Sequence, residues 1–195
     1  AAVREMRLFP VLCASALNNV GTDCILNFIV DYFPSPVDRG PVPGKLDGED
    51  VARPVADDQP VSAFAFKTVA DPFAGRVTYF KVISGIVKND ANLVNVRTGS
   101  AERLSHIGCL SGKTIQPVTE LQAGDIGAVA KLKDTLTGDT LAEKSSLISY
   151  APVKLPEPSI AFAVEAKSRQ DEDRMGAALQ KILEEDQSLR FYRDP

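Results

Sequence analysis

Turn-forming residues recur at short intervals between Val61 and Ser149, at Asp71-Pro72, Asn89-Asp90, Thr98-Gly99-Ser100, Ser111-Gly112, Ala123-Gly124-Asp125 and Thr137-Gly138-Asp139. Glycine supplies positive φ, proline presets φ, and Asn or Asp bonds its own backbone, so each group ends a regular segment. Between them lie short β-rich runs: Val61 to Thr68, Arg76 to Ser84, Asn92 to Thr98, Glu102 to Ile107, Ile126 to Leu132 and Thr140 to Ser149. A chain punctuated this often has no room for long helices, and the pattern predicts a small closed β-barrel over residues 61–154. Closure removes the exposed strand edges that a mostly β module must otherwise protect.

The flanks have other textures. Leu8 to Cys13 reads as a short buried strand and Ser15 to Gly21 as a loop. Thr22 then caps a helix whose Ile25, Phe28, Ile29 and Tyr32 fall at helical spacing, until Pro34 and Pro36 stop it. Residues 37–60 combine proline, glycine and acids, a composition that forms a core with difficulty and reads as a linker. After Pro156-Glu157-Pro158, the residues Ile160, Phe162, Val164 and Ala166 alternate as on a half-buried strand. Ser168 and Asp171 make a capping box for a helix with the stripe Met175, Leu179, Ile182 and Leu183, and Ser188 to Tyr192 reads as another strand. The expected divisions are thus 1–36, 37–60, 61–154 and 155–195. One strand, one helix and one strand bury too little for an independent core, so both ends are expected to lie inside larger domains.

Composition narrows the function classes. The 195 residues carry 22 Lys plus Arg against 26 Asp plus Glu, a net charge of -4 that excludes a polybasic or acidic tail protein. The charge is uneven, because residues 61–154 hold 11 basic and 8 acidic side chains between two acidic flanks. Such asymmetry can mark a surface that meets nucleic acid, and it equally fits a solvated surface. Cys13, Cys24 and Cys109 form no C-x-x-C pair, which argues against a zinc site or a disulfide framework and for reduced thiols in a cytoplasmic setting. No stretch reads as a secretory signal or a membrane span.

Each chemical motif has to be weighed by its spacing. Gly108-Cys109-Leu110-Ser111-Gly112-Lys113-Thr114 ends like a phosphate-binding loop, but it has one residue too few between its glycines and lacks a following helical stripe. It reads as a hairpin. His106 is the single histidine, and its neighbour Ser105 would point to the other face of a strand, so no nucleophile and base converge there. The acidic runs Glu172-Asp173 and Glu184-Glu185-Asp186 suit the polar face of the last helix. No catalytic residue and no metal site is expected. Cys13-Ala14-Ser15-Ala16-Leu17 sits between strand and helix, where open α/β sheets bind ligands.

These residues resemble a family. Phe9 to Gly21 and Val30-Asp31-Tyr32-Phe33-Pro34-Ser35-Pro36 are similar to the end of the G domain of elongation factor G, the GTP-hydrolysing factor that drives translocation on the ribosome. Ala65-Phe66-Lys67, Asp71-Pro72-Phe73, Gly75, Ser84-Gly85, Ala123-Gly124-Asp125-Ile126 and Thr137-Gly138-Asp139-Thr140-Leu141 resemble its second domain. Pro156-Glu157-Pro158, Val164-Glu165, the run Asp173 to Leu179 and Glu185-Asp186 resemble the start of its third. Ser105-His106-Ile107 and the stretch from Asp125 to Asp134 look like a second-copy paralogue of the same factor.

The resemblance implies a mainly β chain with an α+β part. It comprises a strand, loop and helix remnant of the GTPase domain, a translation-factor β-barrel, and the first part of a ferredoxin-like third domain. It implies that Ser15, Ala16 and Leu17 are a remnant of the guanine site, and that GTP and Mg are cofactors of the parent protein. The phosphate-binding loop, switch histidine and N-K-x-D motif are missing from this sequence, so the chain alone is expected to be inert in GTP hydrolysis. Scaffold and contact surface remain, the implied partners being small-subunit ribosomal RNA and protein. Lys81, Lys88, Arg97, Arg103 and Lys113 are the basic side chains expected to reach phosphates. A monomer without membrane contact is expected, with exposed edges as a route to oligomers. The alternatives are a ribosome-protection or other GTPase of the same superfamily, and a stand-alone RNA-binding adaptor.

Overall fold

The computed structural model describes residues 2–71, 75–112 and 114–192, with 172 and 173 described by their backbone alone. The chain divides into two units, Ala1–Gly40 and Pro41–Pro195.

In the first unit the expected helix forms as α1 (Thr22–Tyr32), with Thr22 inside the first turn rather than at the cap. Gly21 takes the cap position in the left-handed region, φ 77°, and no side chain caps the helix. Asp23 in the first turn complements the helix dipole. Phe33 is extended, as the residue before a proline must be, and this ends α1. The rings of Phe28 and Tyr32 lie 4.6 Å apart, and Phe33 meets Phe28 edge-on at 6.2 Å. The strand expected over Leu8 to Cys13 does not form. Phe9 is 78% exposed and Val11 90%, since an extended run is a stable strand only with a partner for its amides.

Of residues 37–60, expected as a linker, the part up to Arg53 is structured. A short 3-10 turn at Val37–Arg39 precedes β1 (Val42–Leu46) and β2 (Glu49–Arg53), which pair as a hairpin around Asp47-Gly48. Both turn residues have positive φ, 52° and 89°, which matches the right-handed twist of the strands. Val42, Leu46 and Val51 pack against Ile83, Ala142, Ile148 and Tyr150. The proline-rich composition hid this hairpin because its alternate apolar positions are few and separated by charges.

The sheet follows in order: β3 (Ser62–Asp71), β4 (Gly75–Ser84), β5 (Val87–Lys88), β6 (Ala91–Asn95), β7 (Ala101–Leu104), β8 (Gly108–Ser111), β9 (Thr114–Pro117), β10 (Glu120–Leu121), β11 (Ile126–Ala130) and β12 (Thr140–Ala142). Eight strands pair antiparallel in the order β7-β6-β12-β3-β4-β11-β8-β9. The inner face of this curled sheet buries Phe80, Val82, Val87, Leu93, Leu104, Ile107, Leu121 and Leu141. Burying side chains of that size contributes on the order of 1.5–3 kcal/mol each. The outer face carries the second cluster, roofed by the β1–β2 hairpin. A register shift between Ala65 and Lys67 makes Phe66 the extra residue of a bulge, 38% exposed.

Full closure is not what the ladders give. Among the described residues the outermost strands β7 and β9 do not pair with each other. The ends are tied instead by the short β5–β10 ribbon and by Val118 N–H to Ile107 O, at 3.1 Å. Strands of two to four residues leave no length for another ladder.

Beyond the sheet, α2 (Arg169–Glu185) forms as expected. The Ser168 hydroxyl accepts from the Asp171 N–H at 3.2 Å and donates to the Asp171 carboxylate at 2.7 Å. The strands expected on either side of α2 are absent among the described residues, with Ile160 73%, Phe162 85% and Val164 59% exposed. Among the described residues no strand pairs with these stretches. Met175, Leu179 and Leu183 are half-buried, and α2 rests on β3.

Candidate functional site

The basic residues expected to meet phosphates lie in three separate places. Lys81 stands half-exposed in β4, opposite Phe64 and Ile126. Lys88 is exposed in β5 opposite Glu120. Arg103, in β7, pairs with Asp90 beyond the turn that follows Lys88, at 3.0 Å, so Lys88 and Arg103 share one end of the sheet. Arg97 follows β6 on a different loop, and Lys113 lies outside the described residues.

Arg97 is committed within the fold. Its Nε donates to Asp139 Oδ1 at 2.6 Å, and its Nη2 donates to Asp139 Oδ2 at 2.8 Å and to the Asp134 carbonyl at 3.0 Å. Asp139, 5% exposed, also accepts from Asn95 Nδ2 at 2.9 Å and from the Leu136 N–H at 2.8 Å. Burial raises the Asp139 carboxyl, but the hydrogen bonds from Arg97, Leu136 and Asn95 outweigh it and hold the pKa below the usual carboxylate value. The bond to Asp139 in turn raises the Arg97 guanidinium. A planar fork held by two carboxylate oxygens is a positioning contact. Its outer edge, with the side chain 51% exposed, is what remains for a phosphate.

The loop 131–139 has a second anchor that sequence reasoning did not find. Glu102 is 2% exposed, and its carboxylate accepts from the N–H groups of Lys133, Asp134 and Thr135 at 2.9, 2.8 and 3.1 Å, and from the Thr135 hydroxyl at 2.9 Å. Three main-chain donors and a hydroxyl on one buried carboxylate fix the loop from inside. The available signal was a lone Glu at an inward position of a strand, which has no reason to be there unless the site is built around it.

Ser15, Ala16 and Leu17 sit on a short exposed loop closed by Ser15 N–H to Val20 O and Val20 N–H to Ser15 O, each 3.0 Å. Leu17 is 96% exposed. Among the described residues no group of three or more His, Cys, Asp or Glu is placed to hold a metal. His106 occupies a turn at φ 57°, not a strand, and is exposed. Gly108–Ser111 pairs antiparallel with Thr114–Pro117 as β8 and β9, the strand pairing that the spacing predicts.

Comparison with known proteins gives the same domain order. Residues 60–144 match the family model for elongation factor G domain 2, and residues 155–195 match elongation factor G, domain III. A crystal structure of a protein from Thermus thermophilus is 33% identical, superposes with a TM-score of 0.76, and covers 98% of this chain. The chain spans 27% of that protein's length.

Proposed function

The chain belongs to the elongation factor G family, carrying its second and third domains in order, and on that premise we propose that it is the central scaffold of a ribosomal translocase. The observation that carries this reading is the succession of two domains of one translation elongation factor along a single chain. In the whole protein, GTP hydrolysis with Mg is coupled to movement of tRNA and mRNA, and this portion supplies no phosphate chemistry of its own. Its part is to orient the neighbouring domains and to touch small-subunit ribosomal RNA and protein in the cytoplasm. The exposed Lys88 and Arg103 and the half-exposed Lys81 are the cations proposed to meet RNA phosphates, together with Lys113, while Arg97 offers only its outer edge.

The test is GTP hydrolysis by the whole parent protein with and without ribosomes, read beside single-round translocation of a tRNA and mRNA complex. Hydrolysis stimulated by ribosomes together with translocation is expected. Stimulated hydrolysis without translocation would replace this reading by another ribosome-dependent GTPase. For the contact surface, reversal of Lys88 and Arg103 to Glu should weaken ribosome binding. The slope of log affinity against log salt should fall by about one for each phosphate that is no longer bound.

A further inference from the structure

We propose that Arg76 is a latch through which the docking of α2 sets the conformation of the 131–139 loop. The Arg76 carbonyl accepts from the Lys131 N–H at 2.8 Å, and its Nη2 donates to the carbonyls of Leu132 and Lys133. One residue thus holds the start of the loop by both main chain and side chain. A second guanidinium nitrogen, Nη1, faces Glu184 of α2 at 3.7 Å, with the Arg76 side chain 20% exposed and that of Glu184 32%. The adjacent Glu185 accepts from the Ala70 N–H in β3 at 2.5 Å. Two consecutive carboxylates therefore seat α2 on the end of the β3–β4 hairpin.

Half-buried Met175, Leu179 and Leu183 add to that seat, but the tether to it is light. Residues 151–167 carry no regular structure and are almost all exposed, so α2 is tethered by chain that resists movement little. A cleft of about 360 Å³ separates loop and helix, lined by Arg76, Arg97, Lys133, Asp134, Leu183 and Glu184. When α2 lifts, Arg76 loses the counter-charge of Glu184, beside which its side chain is only 20% exposed, and a guanidinium left unpaired there is costly. Turning to solvent relieves that cost and releases the two carbonyls. The next three N–H groups of the loop are those held by Glu102, so the disturbance reaches the buried anchor directly. Coupling of this kind is reciprocal: a partner that grips the 131–139 loop in its present form favours docked α2.

This coupling is independent of the translocase reading, and it is tested on the full chain by amide hydrogen exchange in the wild type, Glu184→Gln, Arg76→Met and the double variant. Each single variant should raise exchange at Lys133, Asp134 and Thr135 about two- to five-fold, the range of a partly exposed ion pair. The double variant should be no faster than Arg76→Met alone, and added salt should move the wild type toward Glu184→Gln. Unchanged loop exchange in Glu184→Gln, or effects that multiply in the double variant, would overturn the latch. Should Arg76→Met lose protection across Val77 to Val82, showing damage to the sheet itself, the comparison of Glu184→Gln with the salt titration decides the matter in the same terms.

Discussion

Asp139 holds Asn95 and Arg97 with one carboxylate, Nδ2 at 2.9 Å on one oxygen and the guanidinium across both, and so ties the end of β6 to the turn before β12. The two partners are unequal, because Asp139 is buried and the Arg97 side chain is half-exposed. Asp139→Ala takes one acceptor from each of the Leu136 N–H, Asn95 and Arg97 and should lower stability by about 3 kcal/mol, whereas Arg97→Ala should cost about 1 kcal/mol. Urea unfolding of both variants checks the order, and equal losses would refute it.

Acid and alkali should act through different residues. The Asp139 pKa in the fold lies below its unfolded value, so its contribution is complete above about pH 4 and is lost as pH falls through the folded pKa. Tyr150 moves the other way. Burial raises its phenol, against the opposing bond from Ser62 at 2.7 Å, so its contribution is complete below about pH 10 and is lost as pH rises beyond. Stability measured against pH should show both limbs, with Asp139→Asn flattening the acid one and Tyr150→Phe the alkaline one.

Gly85 turns the chain after β4 at φ 71°, and a Cβ there would lie 2.7 Å from the Gln59 carbonyl and 2.8 Å from Val61 Cα. Both obstacles are backbone, which cannot swing aside. Gly85→Ala should therefore destabilise the sheet by more than about 2 kcal/mol, read as a lower urea midpoint with unchanged slope. A neutral result would mean that the Gln59 to Val61 segment yields freely.

Ser168→Ala removes the side-chain acceptor for the Asp171 N–H, leaving it the Ser168 carbonyl at 3.0 Å, and should cost α2 about 1 kcal/mol. The loss should be local. Amide exchange should quicken in the first turn of α2, and Phe80 and Val82 in the sheet should keep their protection.

The sequence made the sheet legible where burial alternates along long strands. Segments such as Arg76 to Ser84 announce their faces because Phe80 and Val82 point inward between Tyr79, Lys81 and Ile83. It was silent on β5 and β10, two residues each, which exist only because the curled sheet brings Val87 beside Leu121. It misread Leu8 to Cys13 and Ile160 to Ala166 for a common reason: an apolar alternation states what a strand would bury, not that a partner is present. Of the basic residues proposed to meet phosphates, Lys88 and Arg103 were named from charge alone, but the tie between Arg97 and Asp139 spans forty-two positions and could not be read from local spacing. Glu102 escaped for a similar reason, since the amides it accepts from begin thirty-one residues further on.

The β1–β2 hairpin changes where this module can be cut. The stretch matching the family's second domain begins at residue 60, yet the outer cluster of Ile83, Ala142, Ile148 and Tyr150 is roofed by Val42, Leu46 and Val51 from before it. A fragment started at Pro60 would lift that roof, turn a greasy face to water and invite aggregation, whereas one started at Pro41 keeps its cover.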